Sequence, residues 1–174
     1  MAYASWSVSF GEQPSASKWN ILGTNDASFN DGTGIASGVI TANKLASAIS
    51  SSNQVTTSGT TTSTSYTSTL TGSSAPTTSV TVGANGKLLV HWRVQSQNSG
   101  ANNNHSSVAL SGANTVAASD NYCTLNQSTS PVTSYGTSHL FTGLSTGSTT
   151  VTLNYRVSGG TGTFSNMEVV VIAL

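Results

Sequence analysis

Two stretches of the chain alternate between apolar and polar positions. Leu88, Val90, Trp92 and Val94 interleave with Leu89, His91, Arg93 and Gln95. Val151, Leu153, Tyr155 and Val157 interleave with Thr150, Thr152, Asn154 and Arg156. A period of two puts one set of side chains on a buried sheet face and the other outside. Shorter runs of the same kind predict strands at 65–70, 79–82, 87–97, 106–110, 115–118, 122–127, 137–141, 149–157 and 163–173. Gly- and Asn-containing turn signals fall between them at 83–86, 111–114, 145–147 and 158–162. Strands at this spacing predict a mainly β chain, an antiparallel β-sandwich of jelly-roll type. The last strand is apolar on both sides from Met167 to Leu174 except at Glu168. It is expected in the middle of a sheet or at an interface between chains.

The pattern changes towards the N-terminus, and three zones follow: 1–34, 35–65 and 66–174. The first is expected to be an extended arm with a short helix. Val8 and Phe10 alternate with serines; a helix begins near Pro14 and Ser15, where Pro suits a first turn and Ser a cap. Trp19, Ile21, Leu22 and Phe29 fall near one face, and Asn30–Gly34 is a stop signal. Such a short helix must dock on something, and a short arm does not bury Trp6, Phe10, Trp19, Leu22 and Phe29 by itself. These five residues are therefore candidates for an anchoring interface. Residues 35–65 hold a modest apolar stripe from Ile35 to Ile49, followed by a Ser/Thr tract that reads as a linker or an exposed edge strand. Burying that stripe by threefold symmetry predicts a homotrimer.

Composition narrows the functions. Of 174 residues, 5 are Lys or Arg and 5 are Asp or Glu, so the net charge is zero and only 6% of the chain is charged. About 25% is usual. Solubility is left to hydroxyls and amides. Five scattered cations cannot neutralise a run of phosphates, so nucleic-acid binding is not expected. Nor is membrane insertion, because no apolar run reaches the length of a span. The single cysteine, Cys123, excludes an internal disulfide framework and a cysteine-rich metal site. No charged segment precedes an apolar one at the start, so no secretory signal is expected.

Candidate chemistry is sparse. His91, His105 and His139 lack the three-to-five-residue spacing of a compact zinc site. The acids Glu12, Asp26, Asp31, Asp120 and Glu168 are dispersed, so neither a glycosidase pair nor a calcium loop is visible, and Asp120 would meet Glu168 only through folding. There is no Gly-x-Ser-x-Gly elbow, and Cys123 is expected to be a small buried strand residue. These readings predict a protein with no enzymatic activity, no cofactor and no metal. One loop, 95–107, is dense in amides. Asn98, Asn102, Asn103, Asn104 and His105, with Tyr122 and Tyr135 as stacking rings, are candidates for contact with glycans.

The stretch from Phe10 to Gly34, with Phe10-Gly-Glu-Gln-Pro and Lys18-Trp-Asn-Ile-Leu-Gly within it, resembles an N-terminal module of tailed-bacteriophage virion proteins. Ile40-Thr-Ala-Asn-Lys-Leu45 resembles the linkers of their tail fibres. The segment 143–158, running into Phe164-Ser-Asn166, is similar to the end of their β-sandwich tip domains. The resemblance covers about half of the chain. It implies a virion structural protein, usually trimeric, anchored to capsid or tail through its N-terminus, with an outward β-domain. The short chain favours a head fibre, a decoration protein or a small tail appendage. Synthesis in the host cytoplasm and release by lysis would then follow. The rival reading is a lectin-like adhesin module.

Overall fold

The computed structural model describes residues 50–174 apart from 128, 130 and 131, together with positions 11, 13, 15–17 and 19–21. The chain divides into two units, Met1–Ala46 and Ser47–Leu174. In the first, positions 16, 17 and 19–21 are helical, and the Trp19 amide donates to the Ser15 carbonyl at 3.1 Å. A short helix beginning after Pro14 is what its Pro–Ser start predicts. Trp6, Phe10, Leu22, Phe29 and the stripe from Ile35 to Ile49 lie outside the described residues.

The second unit is all β. Its strands are β1 (Ser50–Val55), β2 (Gly59–Thr61), β3 (Thr69–Leu70), β4 (Ser73–Ser74), β5 (Thr77–Val82), β6 (Leu88–Asn98), β7 (Asn104–Gly112), β8 (Thr124–Asn126), β9 (Thr133–Phe141), β10 (Gly147–Val157) and β11 (Gly162–Ala173). Sheet A runs β1-β11-β6-β9, with β2 also on β11, and sheet B runs β5-β10-β7-β8; β3 and β4 form a small separate hairpin. All pairings are antiparallel. With β2, β3 and β4 set aside, the remaining strands taken in chain order interleave between the two sheets as a jelly roll does.

The period-two strands do what their pattern demands. Leu88, Val90, Trp92 and Val94 of β6 and Val151, Leu153, Tyr155 and Val157 of β10 face each other across the core and are buried. In β11 the alternation shifts phase. Gly162 and Phe164 point inward, then a bulge between Ser165 and Glu168 changes the register, and Met167, Val169 and Val171 point inward instead. Asn166 sits in the bulge at φ 45°, a left-handed conformation that Asn tolerates well. As its sequence predicts, β11 is a central strand.

The Ser/Thr tract at the end of residues 35–65, read as a linker or an exposed edge strand, contributes β1 and β2 to sheet A, so the sandwich begins before residue 66. β1 is an exposed edge strand; the backbone ladder to β11 holds it, with Ser50 opposite Ile172 and Val55 opposite Met167. The predicted strand at 115–118 is reduced to one bridge between Val116 and Leu110. The predicted strand at 122–127 is a 3-10 turn, Asp120–Tyr122, followed by the short β8, so Cys123 lies at the junction and is only half-buried.

Candidate functional site

The amides around the β6–β7 connection were expected at the surface, yet two of them, Asn98 and Asn104, fold inward. Strand parity carries this: Ser96 and Asn98 continue the inward series of β6, and Asn104 and Ser106 share the inward face of β7 with Val108 and Leu110. Asn98 Nδ2 donates to Asn104 Oδ1 at 2.9 Å and to the Gly159 carbonyl at 3.1 Å, and its Oδ1 accepts from the Gly100 amide at 3.0 Å. Gly160, at φ +67°, lets the β10–β11 hairpin approach so closely that a Cβ there would lie 2.5 Å from Asn98 Oδ1. Asn103 exchanges two hydrogen bonds with Ser158, amide to hydroxyl at 2.8 Å and carbonyl from amide at 2.9 Å.

Beside this knot lies a stitch between the sheets. Asn126 of β8 donates to the Ser96 carbonyl and hydroxyl at 2.9 and 3.0 Å, and accepts from the Tyr135 hydroxyl at 2.6 Å. Ser106 and Thr124 share a buried hydroxyl pair. Asn98, Asn104 and His105 are therefore corrected as glycan contacts: they are 1%, 2% and 5% exposed, and their polar atoms face the protein. Asn102 and Asn103 are half-buried. Tyr122 is half-buried too, stacked on His139 with ring centroids 4.6 Å apart and set edge-on to Phe141, and its hydroxyl donates to the Ala117 carbonyl. Burial pushes that hydroxyl's pKa up. Neither tyrosine presents a free face and a free hydroxyl together.

On the outer side of sheet B a second cluster gathers groups that lie far apart in the chain. The β7–β10 ladder sets His105 opposite Arg156. Arg156 grips Asp120 with both ends of its fork, Nε to Oδ1 at 3.0 Å and Nη2 to Oδ2 at 2.6 Å. The Tyr66 hydroxyl donates to Asp120 Oδ1 at 2.7 Å, and the guanidinium lies over the Tyr66 ring, 5.5 Å from its centroid. His105 Nδ1 is 3.8 Å from Asp120 Oδ1 and 3.7 Å from Cys123 Sγ. Arg156 and then Tyr66 hold the Asp120 carboxyl below the usual carboxylate range. Burial holds the His105 imidazole below its ordinary value, with Arg156 adding to the effect and Asp120 opposing it. Burial, and next the bond to Asp120, push the Tyr66 hydroxyl well up.

This Cys–His–Asp grouping is not a nucleophilic relay. A relay needs the nucleophile on one ring nitrogen and the orienting acid on the other, whereas Cys123 and Asp120 both face Nδ1. Asp120 and Glu168 do not meet: Glu168 lies on the outer face of sheet A, where Arg93 Nε reaches its Oε2 at 2.5 Å. Sequence reasoning treated Asp120 and Cys123 separately and assigned no role to Arg156 or Tyr66. The spacing Asp-x-x-Cys was the one local signal.

Two surface features complete the picture. Outside sheet A, Leu140, Leu89 and Ile172 stand in one row across three paired strands, with Val170 next along β11. Leu140 is 45% exposed and the others are half-buried. An open groove of about 330 Å³ is lined by Ser68, Thr69, Ser73, Ser74, Ala75, Thr77 and Thr152. In the first unit, Trp19 is 59% exposed.

No family model matches this chain, and no curated protein does. Among solved structures it is similar to Eiger TNF from S. frugiperda, at 12% identity and a TM-score of 0.48, over 72% of this chain and 92% of that one. It is also similar to TmCBM61 in complex with β-1,4-galactotriose, at 12% identity and TM-score 0.33, over 68% and 67%. A third likeness is to the enzymatically active domain of bacteriophage CBA120 tailspike protein 4, at 13% identity and TM-score 0.33, over 70% of this chain and 19% of that one. The fold assignment rests on the strand topology itself.

Proposed function

We propose that this chain is a non-enzymatic structural protein of a bacteriophage particle, held through residues 1–34 and displaying its jelly roll outward as a homotrimer. One observation carries the structural reading. Amides, hydroxyls and charges of the sandwich pair largely with each other, while the row Leu140–Leu89–Ile172 with Val170 is left outside sheet A. A surface of that kind suits association with copies of itself. The two arginine–carboxylate pairs, Arg93–Glu168 and Arg156–Asp120, hold the only acids of the described residues in place. The attachment to a phage particle rests on the resemblance of residues 10–34, and exposed Trp19 is available to a partner there.

The test uses particles. The protein should co-sediment with purified particles through a density gradient, and Trp19→Ala should abolish incorporation while the jelly roll still folds. A protein that stays at the top of the gradient, or a Trp19→Ala variant that incorporates normally, refutes the reading. A second reading, a lectin-like module, takes as its sugar site the open groove between Ser68 and Thr77, whose lining residues apart from Ala75 are serines and threonines. Sugar recognition there would give glycan-array binding by the isolated chain, lost in Thr152→Val.

A further inference from the structure

In a 3-10 helix, side chains three residues apart eclipse each other. Asp120–Tyr122 is such a turn and Cys123 follows it, so Asp120 and Cys123 stand on one side. The turn is fastened to β7 at the residue that caps it: the Ser107 hydroxyl donates to the Ser119 carbonyl at 3.0 Å and accepts from the Ser119 amide at 3.1 Å. His105 precedes Ser107 by two and shares its side of β7, so the imidazole lies against the turn. A nitrogen, a sulfur and an oxygen donor are thereby assembled from one strand and one Asp-x-x-Cys turn. One ligand atom from each of His105, Asp120 and Cys123 lies within 4.8 Å of the others. A tetrahedral ion with bonds of about 2.0–2.3 Å holds its ligands about 3.3–3.6 Å apart. The two separations at His105 Nδ1, 3.7 and 3.8 Å, are a few tenths of an ångström wider than that.

We propose that His105, Cys123 and Asp120 bind one borderline-soft divalent transition-metal ion, zinc being the fitting case, on the outer face of sheet B. The donor set favours such an ion over magnesium or calcium, which take oxygen ligands. On binding, the Cys123 thiol gives its proton to solvent and the thiolate enters the coordination sphere; the ion keeps its oxidation state. Asp120 remains able to ligate. A carboxylate offers about four lone-pair sites; Arg156 and Tyr66 fill both on Oδ1 and one on Oδ2, so the free site is on Oδ2, and Oδ1, the oxygen 3.8 Å from His105 Nδ1, ligates only by giving up one of its two hydrogen bonds. Those two side chains then act as the outer partners that orient a ligating carboxylate. The positive charge of Arg156 sits near the ion, but thiolate and carboxylate together offset the ion's two charges. Asp120 is 57% exposed, so the remaining coordination position opens to solvent. The inference stands independently of the phage reading.

The experiment uses the full chain, untagged, reduced and stripped of metal. Cobalt(II) titration should produce a thiolate-to-cobalt charge-transfer band saturating at one equivalent per chain, and zinc should displace it. Calorimetry with zinc should then show Cys123→Ser weakening binding at least about 100-fold and Asp120→Asn at least about tenfold, since losing even an outer partner of a ligand costs about 10–100-fold. His91→Ala should change nothing. Zinc should also slow alkylation of Cys123 in the wild type, a measurement that needs no variant to fold. The absence of a cobalt band, zinc affinity unchanged in Cys123→Ser, or an alkylation rate indifferent to zinc each overturns the site.

Discussion

Replacing Asn126 by alanine isolates the stitch between the two sheets. Asn126 is 3% exposed and makes three hydrogen bonds, two to Ser96 of sheet A and one from Tyr135 of the same sheet, while itself belonging to sheet B. Each such bond contributes a net ~0.5–1.5 kcal/mol, and a buried group left without its partner costs about 1–3 kcal/mol. Ser96 is buried and loses its donor outright, whereas half-buried Tyr135 can turn its hydroxyl towards water. The expected loss is therefore about 2–4 kcal/mol, nearer the sum of the bonds than the sum of the penalties. For a sandwich of this size that lowers the melting temperature by about 8–15 °C. Chemical denaturation at fixed protein concentration gives the free energy, and the slope with denaturant should not change. A double-mutant cycle with Tyr135→Phe separates the stitch from simple loss of packing. Tyr135→Phe alone should cost about 1 kcal/mol and almost nothing once Asn126 is gone, a coupling of about 1 kcal/mol. Additive losses, or a loss below about 1 kcal/mol in Asn126→Ala, would show that the buried amides do not hold the sheets together.

The remaining predictions concern pH and assembly. His105 is held neutral by burial, so its folded pKa lies below the unfolded value; its contribution is complete above about pH 6.5 and falls as pH drops below it, because the unfolded chain takes up the proton first. Melting temperature in metal-free buffer should decline from pH 7 to pH 5, and His105→Gln should flatten that decline; an equally steep slope in the variant refutes the assignment. Asp120 acts in the same direction further down: its depressed pKa means its contribution is lost as pH falls below about 4, and Arg156→Met should weaken that acid sensitivity. Light scattering should give three times the 17.6 kDa chain mass, and Ile172→Glu should shift it towards one; a wild type at the mass of one chain rejects the trimer.

What the sequence disclosed and what it hid follow from the range of the interactions involved. Strands β6 and β10 were legible because each buries one face, and burial imposes period two on neighbouring residues. Strand β1 was legible only as a choice between a linker and an exposed edge strand, since an edge strand of Ser, Asn and Gln buries little and is held by backbone pairing to β11, which no side-chain pattern records. The inward amides were legible in principle. Extending the parity of Leu88–Val94 by two steps reaches Ser96 and Asn98, and extending that of Leu110 and Val108 backwards reaches Ser106 and Asn104. Their polarity argued for the surface, and the parity argument is the stronger one, because a strand that turned Asn98 outward would have to break the alternation that buries Trp92 and Val94. The cluster on sheet B lies beyond any such extension. His105 and Arg156 are 51 positions apart, and only the jelly-roll order, which sets β7 beside β10, brings them into register. Tyr66 reaches the same acid through a segment bonded to the end of β10, Thr67 to Tyr155 and Ser63 to Val157. A charge-poor chain thus concentrates His105, Asp120 and Arg156 at one place, where each alters the titration of another, and topology rather than local pattern decides where that place is.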